Sequence, residues 1–168
     1  MNRMKGFTLM EILIVVVLLG VLAAIVIPTI SQGAISARRS ALMHDVQLLR
    51  RVILIYTCQH LEVAPGYPNG DASGDPTEQT FIDQATLAST ESGLTAAPGT
   101  AGFDRGPYVM RIPTNPLNRL ATIEMLGNGD DFPAEGDDSH GWIYKAATGQ
   151  IRPDNPGTDD AGRSYADY

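Results

Sequence analysis

The chain has 168 residues, a formal net charge of −7 and a single cysteine, Cys58. This length suits one modest domain with an extension. One cysteine excludes an internal disulfide framework and a cysteine-based zinc site, and we interpret it as a small buried apolar residue on a helix. Residues 1–60 carry six Lys/Arg against two Asp/Glu, whereas the rest carries six against 17. So acidic a domain argues against nucleic acid as a partner, because nucleic-acid binders cluster Lys and Arg.

An apolar segment at residues 7–30 follows the basic residues Arg3 and Lys5. It exceeds the roughly 20 residues that a membrane-spanning helix needs. The positive-inside rule predicts that the N-terminus stays in the cytoplasm and the bulk of the chain crosses the membrane. Glu11 lies inside the first turns of this segment, where a carboxylate in lipid is costly and requires a partner.

The helical pattern continues beyond the apolar segment. Apolar residues recur at helical spacing and form an amphipathic stripe: Ile35, Leu42, Val46, Leu49, Ile53 and Tyr56. The pattern predicts one helix from about Thr8 to about Leu61, apolar on all sides over residues 7–30 and amphipathic over residues 31–62.

An acidic soluble domain is predicted over residues 63–168, beginning with a loop rich in turn-forming residues. Asp75, Pro76 and Glu78 predict the N-cap and first turn of a short helix that ends near Ser89. Short strands are predicted at Tyr108–Ile112, at Ala121–Leu126 and in a hairpin of Gly141–Lys145 with Gln150–Arg152. The predicted fold class is α+β, with the long N-terminal helix packed on a small antiparallel sheet.

The stretch Gly6-Phe7-Thr8-Leu9-Met10-Glu11, between a basic leader and an apolar helix, resembles the class III signal of type IV pilins and pseudopilins. The resemblance implies that a prepilin peptidase removes leader residues 1–6 by cutting between Gly6 and Phe7. It further implies that the same enzyme N-methylates Phe7.

This maturation offers Glu11 a partner. Cleavage creates an α-amine on Phe7, and a buried carboxylate and a buried ammonium are less unfavourable together than apart. In the filaments of the family, the glutamate is thought to meet the amine of a neighbouring subunit, which would fix the register of assembly. The alternatives are a signal anchor that is not cleaved and a secretory signal, although the latter would have a polar stop rather than a second helix.

The soluble part is similar to the major pseudopilin of type II secretion. The similarity lies in Gly106-Pro107-Tyr108, Ile112-Pro113 and Asn115-Pro116-Leu117-Asn118, and in two pieces of a further segment, Gly66-Tyr67-Pro68 and Pro76-Thr77-Glu78-Gln79. Asn115 and Leu117 depart from the family, which usually has an aspartate and a tryptophan there.

Major pseudopilins commonly hold one calcium ion near the C-terminus, so the resemblance points to the loop Gly127–Ser139. The implied ligands are the Leu126 carbonyl and the carboxylates of Asp130, Asp131, Asp137 and Asp138, which are hard oxygen donors. The alternative is a solvated acidic turn without an ion. Asp154, Asp159 and Asp160 form a second acidic group, interpreted as turn chemistry.

The expected function is that of a structural subunit in a periplasmic pseudopilus of type II secretion, anchored in the bacterial inner membrane. The expected partners are further copies of the chain, minor pseudopilins, the prepilin peptidase and the inner-membrane secretion platform. The chain shows no nucleophile triad or phosphate-binding loop, and its three histidines have no metal-ligand spacing among themselves, so we predict that it is no enzyme. A type IV pilus subunit and a membrane-anchored binding module that does not polymerise remain alternatives.

Overall fold

The computed structural model describes residues 8–168, and of residues 25–32 it describes the backbone only. The helices are α1 (Leu9–Gln59) and α2 (Glu78–Thr86), with short 3-10 turns at Pro68–Gly70 and Tyr165–Asp167. The strands are β1 (Ala88–Ser89), β2 (Thr95–Ala96), β3 (Ile123–Leu126), β4 (Trp142–Lys145) and β5 (Gln150–Pro153). The predicted α+β class is confirmed. The chain divides into two compact units, the first ending at Ala37 and the second comprising Arg38–Tyr168.

Helix α1 begins and ends close to where the sequence predicts. The Thr8 hydroxyl accepts a hydrogen bond from the Glu11 amide at 3.2 Å and so caps one of the free N–H groups of the first turn. After Gln59, Leu61 and Glu62 adopt left-handed backbone conformations with φ of 55° and 64°, which end the helix.

The core of the second unit lies between α1 and the larger sheet. Five residues of the predicted amphipathic stripe are buried: Leu42, Val46, Leu49, Ile53 and Tyr56. Four of them, all except Tyr56, belong to one apolar cluster that also holds Phe81, Trp142 and Tyr144. Trp142 and Tyr144 lie two residues apart on β4, and both are fully buried. Ile35, the first residue of the stripe, lies in the first unit and is exposed.

Helix α2 is shorter than predicted. Its N-cap is Thr77 rather than Asp75, and the Thr77 hydroxyl accepts a hydrogen bond from the Thr80 amide at 3.3 Å. The Glu78 carboxylate accepts a hydrogen bond from the Ile123 amide at 2.8 Å, and this bond joins the first turn of α2 to β3. The helix stops at Thr86 because the chain then enters β1, which pairs with β2.

The larger sheet has the order β3-β4-β5. The predicted hairpin of β4 and β5 is confirmed, with Trp142 opposite Pro153. Strands β3 and β4 are parallel, so the sheet is mixed. A parallel pair needs a longer crossover than a hairpin does, and the acidic loop 127–139 forms part of that connection.

The strand predicted at Tyr108–Ile112 is wrong. The amides of Tyr108 and Val109 both donate to the Ala85 carbonyl, at 3.0 and 3.1 Å. This segment therefore satisfies its hydrogen bonds on the last turn of α2 instead of joining a strand.

Candidate functional site

The predicted processing residues Gly6 and Phe7 lie outside the described residues. Glu11, the predicted assembly residue, is described and exposed, in the turn capped by Thr8. The large apolar side chains from Leu9 to Leu22 are also exposed, between 46% for Val15 and 88% for Leu9. A helix surface that is apolar on all sides requires other apolar groups around it, either lipid or further helices.

Among the residues whose side chains are described, no helix has the length and hydropathy required to cross a membrane. The predicted span 7–30 includes residue 7 and residues 25–30, which are not in that set.

The predicted calcium ligands form separate hydrogen bonds rather than one cluster. Asp130 accepts from the Gly127 amide at 3.0 Å, and Asp137 accepts from the Ser139 amide at 2.9 Å. The hydrogen bonds from Ser139 lower the pKa of the Asp137 carboxyl. Leu126 ends β3 and Asp131 is exposed.

Asp138, the remaining predicted ligand, accepts a hydrogen bond from the Asn155 amide nitrogen at 2.6 Å. In the part of the chain that the structure describes, no three of the four predicted aspartates lie within 4.8 Å of one another. As placed, these residues do not form a ready-made cation site, and calcium binding stays a prediction.

A different group of three titratable side chains meets at one end of the larger sheet. Glu124 lies on β3, His140 shortly before β4 and Asp154 directly after β5, and their ligand-type atoms lie within 4.8 Å of one another. Asp154 is buried, and its two oxygens accept from the amides of Asp137 and His140, each at 2.8 Å. The carboxylate therefore fixes the end of the acidic loop through hydrogen bonds from distant residues, and the local turn role predicted for Asp154 is wrong.

Asn115, one of the departures from the family pattern, is fully buried beside this group. Its side-chain nitrogen donates to the Gly141 carbonyl at 2.8 Å and to the Asn155 side-chain oxygen at 2.7 Å. Its own oxygen accepts from the Leu117 amide at 2.9 Å. An aspartate could reproduce the last bond but neither of the first two, because a carboxylate has no N–H to donate.

The sequence of the C-terminal residues 164–168 fits both a final strand and a frayed end, and in the structure they form a short 3-10 turn against α1. Tyr168 is buried, and its hydroxyl donates to Asp159 Oδ2 at 2.5 Å. Arg39 Nε lies 3.0 Å from the same oxygen. The Tyr168 hydroxyl, two backbone amides and Arg39 together lower the pKa of the Asp159 carboxyl.

Two of the histidines and the cysteine have clear environments. His60 is buried, and its Nδ1 lies 2.7 Å from the Tyr56 carbonyl and its Nε2 3.0 Å from the Ser89 hydroxyl. His44 is exposed. The interpretation of Cys58 as buried is wrong: it is exposed, because it lies on the side of α1 opposite to Tyr56 and Val52.

Comparison with known proteins supplies the context for the N-terminal motif. Residues 1–27 match the family model described as the prokaryotic N-terminal methylation motif. The chain is 28% identical to type II secretion system core protein G of Klebsiella pneumoniae over 152 residues. This alignment covers 84% of this chain and 96% of that protein. The chain is thus similar to the type II secretion core proteins G over most of its length. The resemblance found in the sequence is thereby confirmed.

Further relatives extend the comparison. The core protein G of Aeromonas hydrophila is 26% identical over 161 residues, 86% of this chain and 96% of that protein. The type IV major fimbrial protein FimA of Dichelobacter nodosus is 37% identical over 99 residues, 59% of each chain. No solved structure matches this chain.

Proposed function

We propose that this chain is a structural subunit of the pseudopilus in a type II protein secretion system. The observation that carries the proposal is the prokaryotic N-terminal methylation motif at residues 1–27 on a chain related to type II secretion core proteins over nearly their whole length. The second candidate is a type IV pilus subunit, which the similarity to a major fimbrial protein favours.

Maturation removes the leader 1–6 by cleavage between Gly6 and Phe7, and the prepilin peptidase then methylates the new α-amine of Phe7. Before assembly, residues 7–30 hold the chain in the inner membrane, with the N-terminus in the cytoplasm and residues 63–168 in the periplasm. The exposed apolar surface of the helix from Leu9 to Leu22 supports this step, because lipid would cover it.

Assembly moves the apolar helices from lipid into a common filament core, while the amphipathic part, residues 31–62, carries the acidic domain on the outside. Glu11 pairs with the Phe7 amine of a neighbouring copy and sets the register between subunits. The subunit performs no catalysis itself. It is a substrate of the prepilin peptidase, and it interacts with minor pseudopilins and the inner-membrane secretion platform.

Mass spectrometry of the N-terminus of the mature protein, purified from membranes of its own host, tests the proposal. We expect a chain that begins with N-methylated Phe7, and a mature chain that still begins with Met1 would overturn the proposal. A Gly6→Leu variant should remain uncleaved, because the side chain obstructs close approach of the peptidase to the backbone. Gly20→Leu is the matched control: a side chain there meets no atom within 4 Å, and cleavage should proceed.

Deletion of the gene separates the two candidate filaments. Loss of protein export from the periplasm, restored by the intact chain, is expected for a pseudopilus. Loss of long surface filaments in electron micrographs, with export unchanged, would instead establish a type IV pilus subunit.

A further inference from the structure

The second unit exposes one large apolar side chain almost completely. Met110 is 95% exposed, and its neighbour Arg111 is exposed as well. Tyr108 is held to α2 through the Ala85 carbonyl, and Ile112 is buried in the core, so both flanks are fixed. Met110 and Arg111, called the knob below, therefore project from a fixed part of the fold.

A groove of about 640 Å³ opens elsewhere on the same unit. One side is the face of α1 that carries Ile53 and Leu54, and the other includes Ala146 and Ala147 of the β4–β5 turn. Ile53 and Ala146 are buried at 3% exposure, whereas Leu54 is 63% exposed. The groove thus has an apolar floor and an apolar wall that nothing in this unit covers.

Charges at the two places are complementary. Glu62 lines the groove and is exposed, and within the described residues neither its carboxylate nor the Arg111 guanidinium has an ion-pair or hydrogen-bond partner. Arg50 also lines the groove, but its guanidinium already donates to the carbonyls of Ile151 and Tyr168. These bonds leave the positive charge of Arg50 in place but occupy its Nη2 donors, whereas the Glu62 carboxylate is free to pair with a cation from another copy.

The geometry points to a contact between copies: we propose that the knob of one copy docks in the groove of the next, with Met110 against Leu54 and Ile53 and Arg111 at Glu62. The groove and the knob share no residue, so each copy can donate one knob and accept another. Such a head-to-tail contact, repeated without closing, builds a helical filament. Methionine and arginine are also enriched in protein interfaces. The inference rests on the proposed function, for which it names an interface of the soluble unit.

Cysteine crosslinking in the full-length chain, expressed in its own host, tests the contact. In a Cys58→Ser background, the pair Met110→Cys and Leu54→Cys should give a ladder of dimers and higher oligomers on mild oxidation of assembled material. Each single variant should give no ladder. The matched control pairs Leu54→Cys with Leu94→Cys, since Leu94 is 45% exposed and lies away from both the knob and the groove.

Charge reversal supplies an independent measurement. Arg111→Glu and Glu62→Arg should each lower the amount of sheared filament several-fold, and the double variant should recover most of it, because the reversed pair is again complementary. All these side chains are exposed, so the melting temperature should not change.

The outcomes distinguish the two proposals. Filaments that form normally without the Met110–Leu54 ladder and without the charge-reversal effect would overturn the docking contact and leave the proposed function intact. A wild-type chain that keeps Met1 and forms no filament would overturn both.

Discussion

Arg39 Nε on helix α1 lies 3.0 Å from Asp159 Oδ2, and the Asp159 side chain is only 1% exposed. The same oxygen accepts the Tyr168 hydroxyl hydrogen bond at 2.5 Å. One carboxylate thus joins the C-terminal segment to α1, and it explains why Tyr168 is buried rather than frayed.

Asp159→Asn should lower the melting temperature at pH 7, because the amide cannot replace the charge that Arg39 faces. The pKa of Asp159 is lowered in the folded chain, so the carboxylate stabilises the fold above its unfolded pKa of about 3.9. This contribution is lost as pH falls through the folded value. The melting temperatures of variant and wild type should therefore converge in acid. Asp160→Asn is the control, since Asp160 also meets Arg39, at 2.9 Å, but is 46% exposed, and its effect should be small.

The buried amide of Asn115 gives a second test. Asn115→Asp should lower the free energy of unfolding by at least about 2 kcal/mol, because two acceptors lose their donor and a charge becomes buried. Chemical denaturation at pH 7 measures the difference. Asn69→Asp, at an exposed position, makes the same chemical change and should be close to neutral. Equal effects of the two substitutions would contradict the role assigned to the Asn115 network.

The helices and the hairpin could be predicted because their signals are local. The periodic apolar residues of α1 and the short turn between β4 and β5 each specify one element from neighbouring residues. The segment Tyr108–Ile112 has the composition of a strand, but the amides of Tyr108 and Val109 donate hydrogen bonds to the Ala85 carbonyl at the end of α2. Such tertiary competition is not visible in the segment itself.

The polar groups around the acidic loop could be predicted only in part. The turn role of Asp159 follows from its neighbours in sequence, because its Oδ1 accepts from the amides of Ala161 and Arg163. The meeting of Asp154 with Glu124 and His140 depends instead on the parallel pairing of β3 and β4. The donor role of Asn115 likewise needs Asn155, which is distant in the chain. Long-range register, rather than residue type, decides these contacts.

Buried His60 predicts a loss of stability in mild acid. Burial is the main cause of its lowered pKa in the folded chain, so the neutral ring is favoured by folding. The full contribution of His60 to the free energy of unfolding is present above its unfolded pKa of about 6.5. It falls as the pH drops below that value, because the unfolded chain then binds more protons than the folded chain. Unfolding curves at pH 7.5 and 5.5 should show the loss in wild type and a smaller one in His60→Gln. His44→Gln, at an exposed site, should behave like wild type.

Calcium binding to the acidic loop predicts a stability that depends on the ion. If the Leu126 carbonyl and the four aspartates rearrange around calcium, adding a chelator to the full-length protein in detergent should lower its melting temperature, and added calcium should restore it. Asp138→Asn should abolish the response. Asp104→Asn, which changes an acidic residue outside the loop, is the control. A melting temperature that calcium and chelator leave unchanged would remove the site.

Glu11→Ala should leave membrane insertion intact and impair assembly. Removing a carboxylate from an apolar helix favours insertion, whereas the proposed partner, the α-amine of Phe7 in a neighbouring copy, then stays buried without a counter-charge. Carbonate extraction of membranes measures insertion, and the yield of sheared filaments measures assembly. Glu11→Asp keeps the charge and should retain part of the yield, while Glu11→Gln should fail like alanine. Normal filaments from the alanine variant would show that the register is set by packing of the apolar helices alone.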